Sequence, residues 1–195
     1  MLFRSIAYTR RVNLSHHAHY ATPSVNFDWT TAKGHPFAYH VFGTAAIGVT
    51  VDCLRGTYVT DFVRVVHDFG STMNTPIDMG QIEGGIVQGI GWMTMEEIVY
   101  DEKGRLRSNA LSTYKIPDIY SIPKGIDIIP LETERKNLAI FNSKAVGEPP
   151  LMYGIGAYFA IRDAVNAFRC RDGKFSVSTF DVPFTPEKVL LNLYK

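Results

Sequence analysis

The stretch from residue 76 to about residue 100 sets the tightest limit on what this chain can fold into. Ile82, Ile86, Val87, Ile90, Met93 and Ile98 recur at mostly helical intervals, yet Gly80, Gly84, Gly85, Gly89 and Gly91 fall inside the same stretch. Each interior glycine costs a helix roughly 1 kcal/mol relative to alanine. Such a helix persists only where something packs closely on its bare backbone. Two occupants meet that demand: other protein backbone, or a cofactor facing the N-terminal end of the helix. The spacing supports both equally. Gly80/Gly84 and Gly85/Gly89 also match the small-residue repeat of paired membrane helices, but Gln81, Glu83, Gln88, Glu96 and Glu97 argue against a membrane span.

A second constraint lies downstream in Ser143-Lys144-Ala145-Val146-Gly147-Glu148-Pro149-Pro150. Gly147 lets a bulky group approach the backbone. Pro149 pushes Glu148 toward an extended conformation, and Pro150 removes another backbone donor. Glu148 reads either as an aimed acid or base, or as a solvated carboxylate in a surface turn. Lys144 reads as solvated or bonded to backbone rather than catalytic.

Elsewhere strands and helices alternate without an evident linker or repeat. Residues 44–52 and 57–68 are rich in Val, Thr, Ile and Phe and are joined by Cys53-Leu54-Arg55-Gly56, which predicts a β-hairpin. Residues 101–104 predict a turn, and 126–130 and 138–142 short strands. Residues 151–168 are apolar on nearly every face until Arg162, so they predict a mostly buried helix behind Glu148. Thr185-Pro186 predicts the start of a terminal helix over 187–194. The expectation is one α+β domain over 1–195, a mixed sheet with the 81–99 and 153–168 helices packed together. With 46% hydrophobic residues, a chain of this length can bury such a core.

Other constellations carry less. Twenty basic against 19 acidic residues, without a basic cluster, lack the footprint of a nucleic-acid binder. Cys53 and Cys170 have no CxxC spacing, which points to a reducing compartment and to no zinc or iron-sulfur site on this chain. His16-His17-Ala18-His19 resembles a metal cluster, but neighbouring residues on a strand point opposite ways and no suitably spaced ligand joins them. His67-Asp68 suggests acid-base work, but its place at a strand end favours a structural role. The GxSxG, GxGxxG and GxxxxGK(S/T) patterns are all absent. No uninterrupted apolar segment reaches membrane length, so no membrane association is expected.

Three segments in order, Gly80-Gln81-Ile82-Glu83-Gly84 running on to Gln88-Gly89-Ile90-Gly91, then Ser112-Thr113-Tyr114-Lys115-Ile116-Pro117, then the octet at 143–150, resemble the molybdenum subunit of the xanthine dehydrogenase and aldehyde oxidase family. The resemblance runs more weakly over about 12–168, and His19 departs from the family pattern. It implies the C-terminal part of a molybdopterin-binding domain. Glu148 would then be the catalytic glutamate, with Gln81, Gly84 and Gly147 at the cofactor in the same cleft and no metal ligand on this chain. The implied activity is oxidative hydroxylation of a nitrogen heterocycle such as xanthine, or of an aldehyde, with water as oxygen source. The glycine-rich first half of the family's site has no counterpart here, so the molybdenum-molybdopterin cofactor would be shared with a missing segment and the chain would be inactive alone. Expected partners are the N-terminal part of the molybdenum subunit, subunits or domains carrying iron-sulfur clusters and FAD, and a small-molecule substrate. The setting implied is cytoplasmic. An unpartnered chain would expose apolar surface and could self-associate. The competing expectation is a non-catalytic remnant or assembly module that keeps the fold without the cofactor.

Overall fold

The computed structural model describes residues 2–133, 139–171 and 180–194. By internal contacts the chain divides into two compact units, residues 1–38 and 39–195, where the sequence suggests a single domain.

The first unit opens with helix α1 (Leu2–Arg10), which buries Ala7. Strands β1 (Asn26–Asp28) and β2 (Lys33–His35) pair antiparallel, with Asn26 opposite His35. Asp28 closes the turn between them by accepting from the Thr31 hydroxyl at 2.7 Å and the Thr30 amide at 2.8 Å. Those bonds favour its charged form and hold its pKa below the usual carboxylate range. His16, His17 and His19 are exposed in a stretch without regular structure.

The second unit is built on a three-stranded mixed sheet in the order β3 (Gly43–Val51), β4 (Tyr58–His67), β5 (Ile126–Pro130). The expected hairpin is β3–β4, antiparallel, with a bulge where Asp61 is the extra residue between the Gly48–Phe62 and Val49–Thr60 pairs. β5 runs parallel to β4, with Val65 opposite Ile128. Helix α2 (Thr75–Thr94) starts at Asn74, whose side chain accepts from the Ile77 amide, and has proline in its first turn. A 3-10 turn (Pro149–Gly154) leads without a break into α3 (Ile155–Cys170), and α4 (Pro186–Tyr194) follows Thr185 as expected. Val63, Val65, Ile82, Ile86, Ile90 and Ala157 form one buried cluster between sheet and helices. Met93, Tyr158, Ile161, Val165, Phe184 and Val189 form a second. Both draw on α2 and α3, so they are two ends of one core. The architecture is α+β, as expected, and no helix among the described residues is long and apolar enough to cross a membrane.

Two element boundaries differ from the sequence reading. The helix expected to reach residue 100 stops at Thr94 and leaves Ile98 exposed. The cause is competition for its last carbonyls. The Phe184 amide donates to Met93 O at 2.8 Å, and the Tyr58 hydroxyl reaches Thr94 O at 3.0 Å. The strand expected over 138–142 is, in its described part, a short 3-10 turn at Ile140–Asn142. Phe141 and Asn142 take φ of 54° and 60°, which a strand does not allow, and only the Gly70–Ser143 bridge touches strand geometry there. Leu138 lies outside the described residues.

Candidate functional site

The glycines of α2 divide into two sets. On one side, ideal Cβ atoms at Gly85 would lie 3.1 Å from Gly147 O and 3.2 Å from Pro150 Cβ, and at Gly89 would collide with Leu151 O. Gly154 in turn lies against the Gly89 and Ile90 backbone, and Gly91 against the Pro117 ring. Here the occupant is protein: the 147–154 backbone settles onto the helix where side chains are missing. On the other side, a Cβ at Gly80 or at Gly84 would meet nothing within 4 Å. These two positions share an exposed face with Gln81 and Gln88, so that half of the even choice left by the sequence points outward to open space.

The same close packing brings Gln81 to the Glu148 loop. Among the described residues, its chain neighbours aside, Gln81 Oε1 alone comes within 4 Å of a Cβ built on Gly147, at 3.9 Å, although 66 positions separate the two residues. Glu148 is the next residue, exposed, and makes no side-chain capping bond. Gln81 and Gly147 therefore share one edge, to which Glu148 is joined as the next residue, with Gly84 one turn further along the open face of α2. Glu148 is not extended, as the following proline suggests, but helical at φ −89°, ψ −41°. Its carbonyl accepts from the Leu151 amide at 3.1 Å, and that bond holds it at the head of the 3-10 turn. The bare backbone of Gly80 and Gly84 beside two exposed amides suits a flat, polar, hydrogen-bonding group, since an amide both donates and accepts.

Lys144 departs from the sequence reading. Its side chain is 6% exposed and is ion-paired with Asp68, which is fully buried. Its own amide donates to Phe69 O at 3.0 Å. Next to Asp68, the fully buried His67 shares a 2.7 Å hydrogen bond between Nδ1 and the Tyr153 hydroxyl, while Nε2 is buried with no well-formed hydrogen bond among the described residues. Burial pulls the His67 pKa below its ordinary value, with the Ala145 backbone and the Asp68 carboxylate opposing. Burial raises that of Tyr153, helped by the Asp68 charge. The His67-Asp68 pair is thus the structural corner expected of it. Its links to Lys144 and Tyr153 gave no sequence signal, because nothing in local spacing couples residues 76 and 86 positions apart.

The middle motif lies elsewhere. Pro117 packs on Gly91 and the Tyr114 hydroxyl donates to Glu96 Oε2 at 2.6 Å, about 15 Å along α2 from Gln81 at 1.5 Å per residue. Lys115 lines a cavity of about 470 Å³ with Tyr58, Thr60, Thr94, Tyr120 and Ile122, which Gln81 and Glu148 do not reach.

Residues 2–123 match the sequence profile of the molybdopterin cofactor-binding domain family. The chain belongs to that family. The match takes in Gln81 and Gly84. A longer likeness, which takes in Glu148, runs to the xanthine dehydrogenase/oxidase of Rattus norvegicus, 43% identical over 185 residues, and to the xanthine dehydrogenase of Oryza sativa subsp. japonica, 40% identical over 189. They cover 94% and 93% of this chain, which spans about 14% of the length of each. The solved structure of the aldehyde oxidoreductase from Desulfovibrio gigas superposes with a TM-score of 0.64 at 31% identity, over 85% of this chain and 17% of that one. The family's cofactor suits the open glycine face beside Gln81: what this molybdopterin cofactor-binding chain offers there is bare backbone and amide groups, and it places no cluster of three or more metal-ligating side chains among the described residues.

Proposed function

We propose that residues 1–195 form the C-terminal molybdopterin-binding region of a molybdenum hydroxylase, with Glu148 as its general base. The observation that carries this reading is the approach of Gln81 to Gly147, the residue before Glu148, beside the uncovered glycine face of α2. Molybdenum held by a pterin dithiolene, when bound, supplies the redox centre for hydroxylation with oxygen taken from water. Glu148 would accept a proton at its carboxylate during that hydroxylation. A general base must come within about 3 Å of its proton and typically contributes 10²- to 10⁴-fold in rate. Gln81 would help hold the cofactor through its amide, and Gly84 and Gly147 would leave room for it. Xanthine-like nitrogen heterocycles and aldehydes are the substrate class, in keeping with the names of the relatives.

One edge of a site cannot enclose such a cofactor. The chain therefore works with the N-terminal part of the molybdenum subunit and with iron-sulfur and FAD carriers, in the cytoplasm, and is inactive alone. Exposed Met73, Ile77 and Trp92 on and beside α2 offer apolar surface for that partner. The test measures molybdenum content and single-turnover rate together in the complete enzyme. Glu148→Gln should lower turnover by at least about 10²-fold with metal content intact. Gln81→Ala should instead lower cofactor retention, since an unsatisfied buried partner costs about 1–3 kcal/mol. Near-normal turnover per bound metal in Glu148→Gln would end the general-base assignment.

A further inference from the structure

The reading of Glu148 as general base leaves open what aims it. Its own side chain makes no capping bond, so its direction is set by the backbone on either side. That backbone is tied down twice, at Lys144 four residues before it and at Tyr153 five residues after. Both ties run to consecutive residues, the last of β4 and the one after it. Successive residues of an extended chain project to opposite sides, which lets Asp68 take Lys144 while His67 takes Tyr153. Main-chain bonds from Lys144 N to Phe69 O and from Ser71 N to Asn142 O, both 3.0 Å, lace the entry of the loop to the segment after β4. At the exit, Gly43 clears the way: a Cβ there would collide with the Tyr153 hydroxyl.

The chemistry of these ties is unusual for a merely stabilising contact. A buried ion pair is an inefficient source of stability, because desolvating both charges offsets most of their attraction and an apolar pair of equal volume often does as well. What a buried pair does provide is one permitted geometry, since any other arrangement strands a charge. The His67–Tyr153 bond has the same character, directional and shielded from competing water.

We propose that His67 and Asp68 are positioning residues that brace the Glu148 loop from both ends, an inference that rests on the general-base reading above. The brace holds the Gly147 backbone, one residue before Glu148, against Gly85 and Gln81, so that the carboxylate meets the substrate edge of the site in one orientation.

Two variants test it with little risk of unfolding: Tyr153→Phe, which removes one hydroxyl, and Asp68→Asn combined with Lys144→Met, which removes both charges together. Hydrogen exchange is read on the 195-residue chain without cofactor, at the Ser71 and Leu151 amides. Exchange should quicken at least about tenfold at Leu151 in the first variant and at Ser71, bonded to Asn142 O at the loop entry, in the second, while the Asp52 amide, bonded to Thr57 O in the β3–β4 turn, stays unchanged. In the complete enzyme, kcat per bound molybdenum should fall about ten- to hundredfold with KM within about threefold, as expected when a reacting group is displaced by around 1 Å. Unchanged exchange in both variants overturns the brace whatever the activity. Faster exchange with unchanged kcat overturns the positioning role. Full turnover in Glu148→Gln would remove the general-base reading and the positioning role with it. That failure is told apart from a failed brace because exchange is measured on the chain without cofactor.

Discussion

The two sets of glycines in α2 make opposite predictions for one chemical change. At Gly84 a methyl group enters open space, so Gly84→Ala gains helix propensity at no packing cost and should stabilise the chain by about 1 kcal/mol. At Gly89 the same methyl group collides with the Leu151 carbonyl oxygen and comes within 3.1 Å of Gly154 Cα. Neither obstacle is a flexible side chain, so the 3-10 turn must move off the helix. Overpacking a core typically costs about 1–3 kcal/mol, and a rigid obstacle puts Gly89→Ala toward the upper end, about 2 kcal/mol net after the propensity gain. For a chain of this size 1 kcal/mol moves Tm by roughly 2–4 °C, so the two alanine variants should differ by roughly 6–12 °C. Thermal unfolding followed by far-ultraviolet circular dichroism measures this directly. A Gly89→Ala variant as stable as Gly84→Ala would show that the turn does not pack on the helix as described, and would remove the reason for Gln81 and Glu148 to share an edge.

Two further outcomes follow from buried polar groups. The Tyr58 hydroxyl bridges Thr94 O and Phe184 O at 3.0 and 3.1 Å, and burial pushes its pKa up to about 12. Tyr58→Phe strands both carbonyls at the end of α2 and should cost about 1–3 kcal/mol, whereas a Tm within 1 °C or so of the parent would mean that water replaces the bond. His67 is held below its ordinary pKa by burial, so between that depressed value and about 6.5 the unfolded chain binds more protons than the folded one. Its contribution is complete above about pH 6.5 and is lost as pH falls through the folded value. Urea midpoints should therefore drop on acidification more steeply in the parent than in His67→Gln, and equal slopes would contradict the assignment.

Much of the scaffold was legible because its signals are local. Alternating apolar residues marked β3 and β4, and Thr185-Pro186 marked the start of α4. The motifs carried the rest: Gln81 and Glu148 were named as neighbours through a family resemblance, and no periodicity in the chain relates them. What stayed hidden depends on distant partners. The stop of α2 at Thr94 is imposed by donors from Tyr58 and Phe184, 36 and 90 positions away in sequence. Lys144 looks like any surface lysine until Asp68 arrives beside it. Phe141 and Asn142 are apolar-then-polar as in a strand, and only the need to turn the chain back from the Gly70–Ser143 bridge forces their left-handed backbone.

The glycines show why such a site is hard to read and hard to alter. From sequence alone Gly84 and Gly85 are adjacent and equivalent, yet one faces open space and the other lies 3.1 Å, through its missing Cβ, from the carbonyl of Gly147. The contact that sets Gln81 against the Glu148 loop is therefore backbone on backbone. No side chain can be trimmed or repacked to absorb an error there, and protein interiors transmit rather than dissipate such strain. A side chain at Gly89 must displace the loop, and one at Gly85 must push it by a few tenths of an ångström, carrying Glu148 with it. Stability and the geometry of the proposed site are thus linked through the same few atoms, and the helix tolerates its poor intrinsic propensity because the 147–154 backbone packs directly on Gly85 and Gly89.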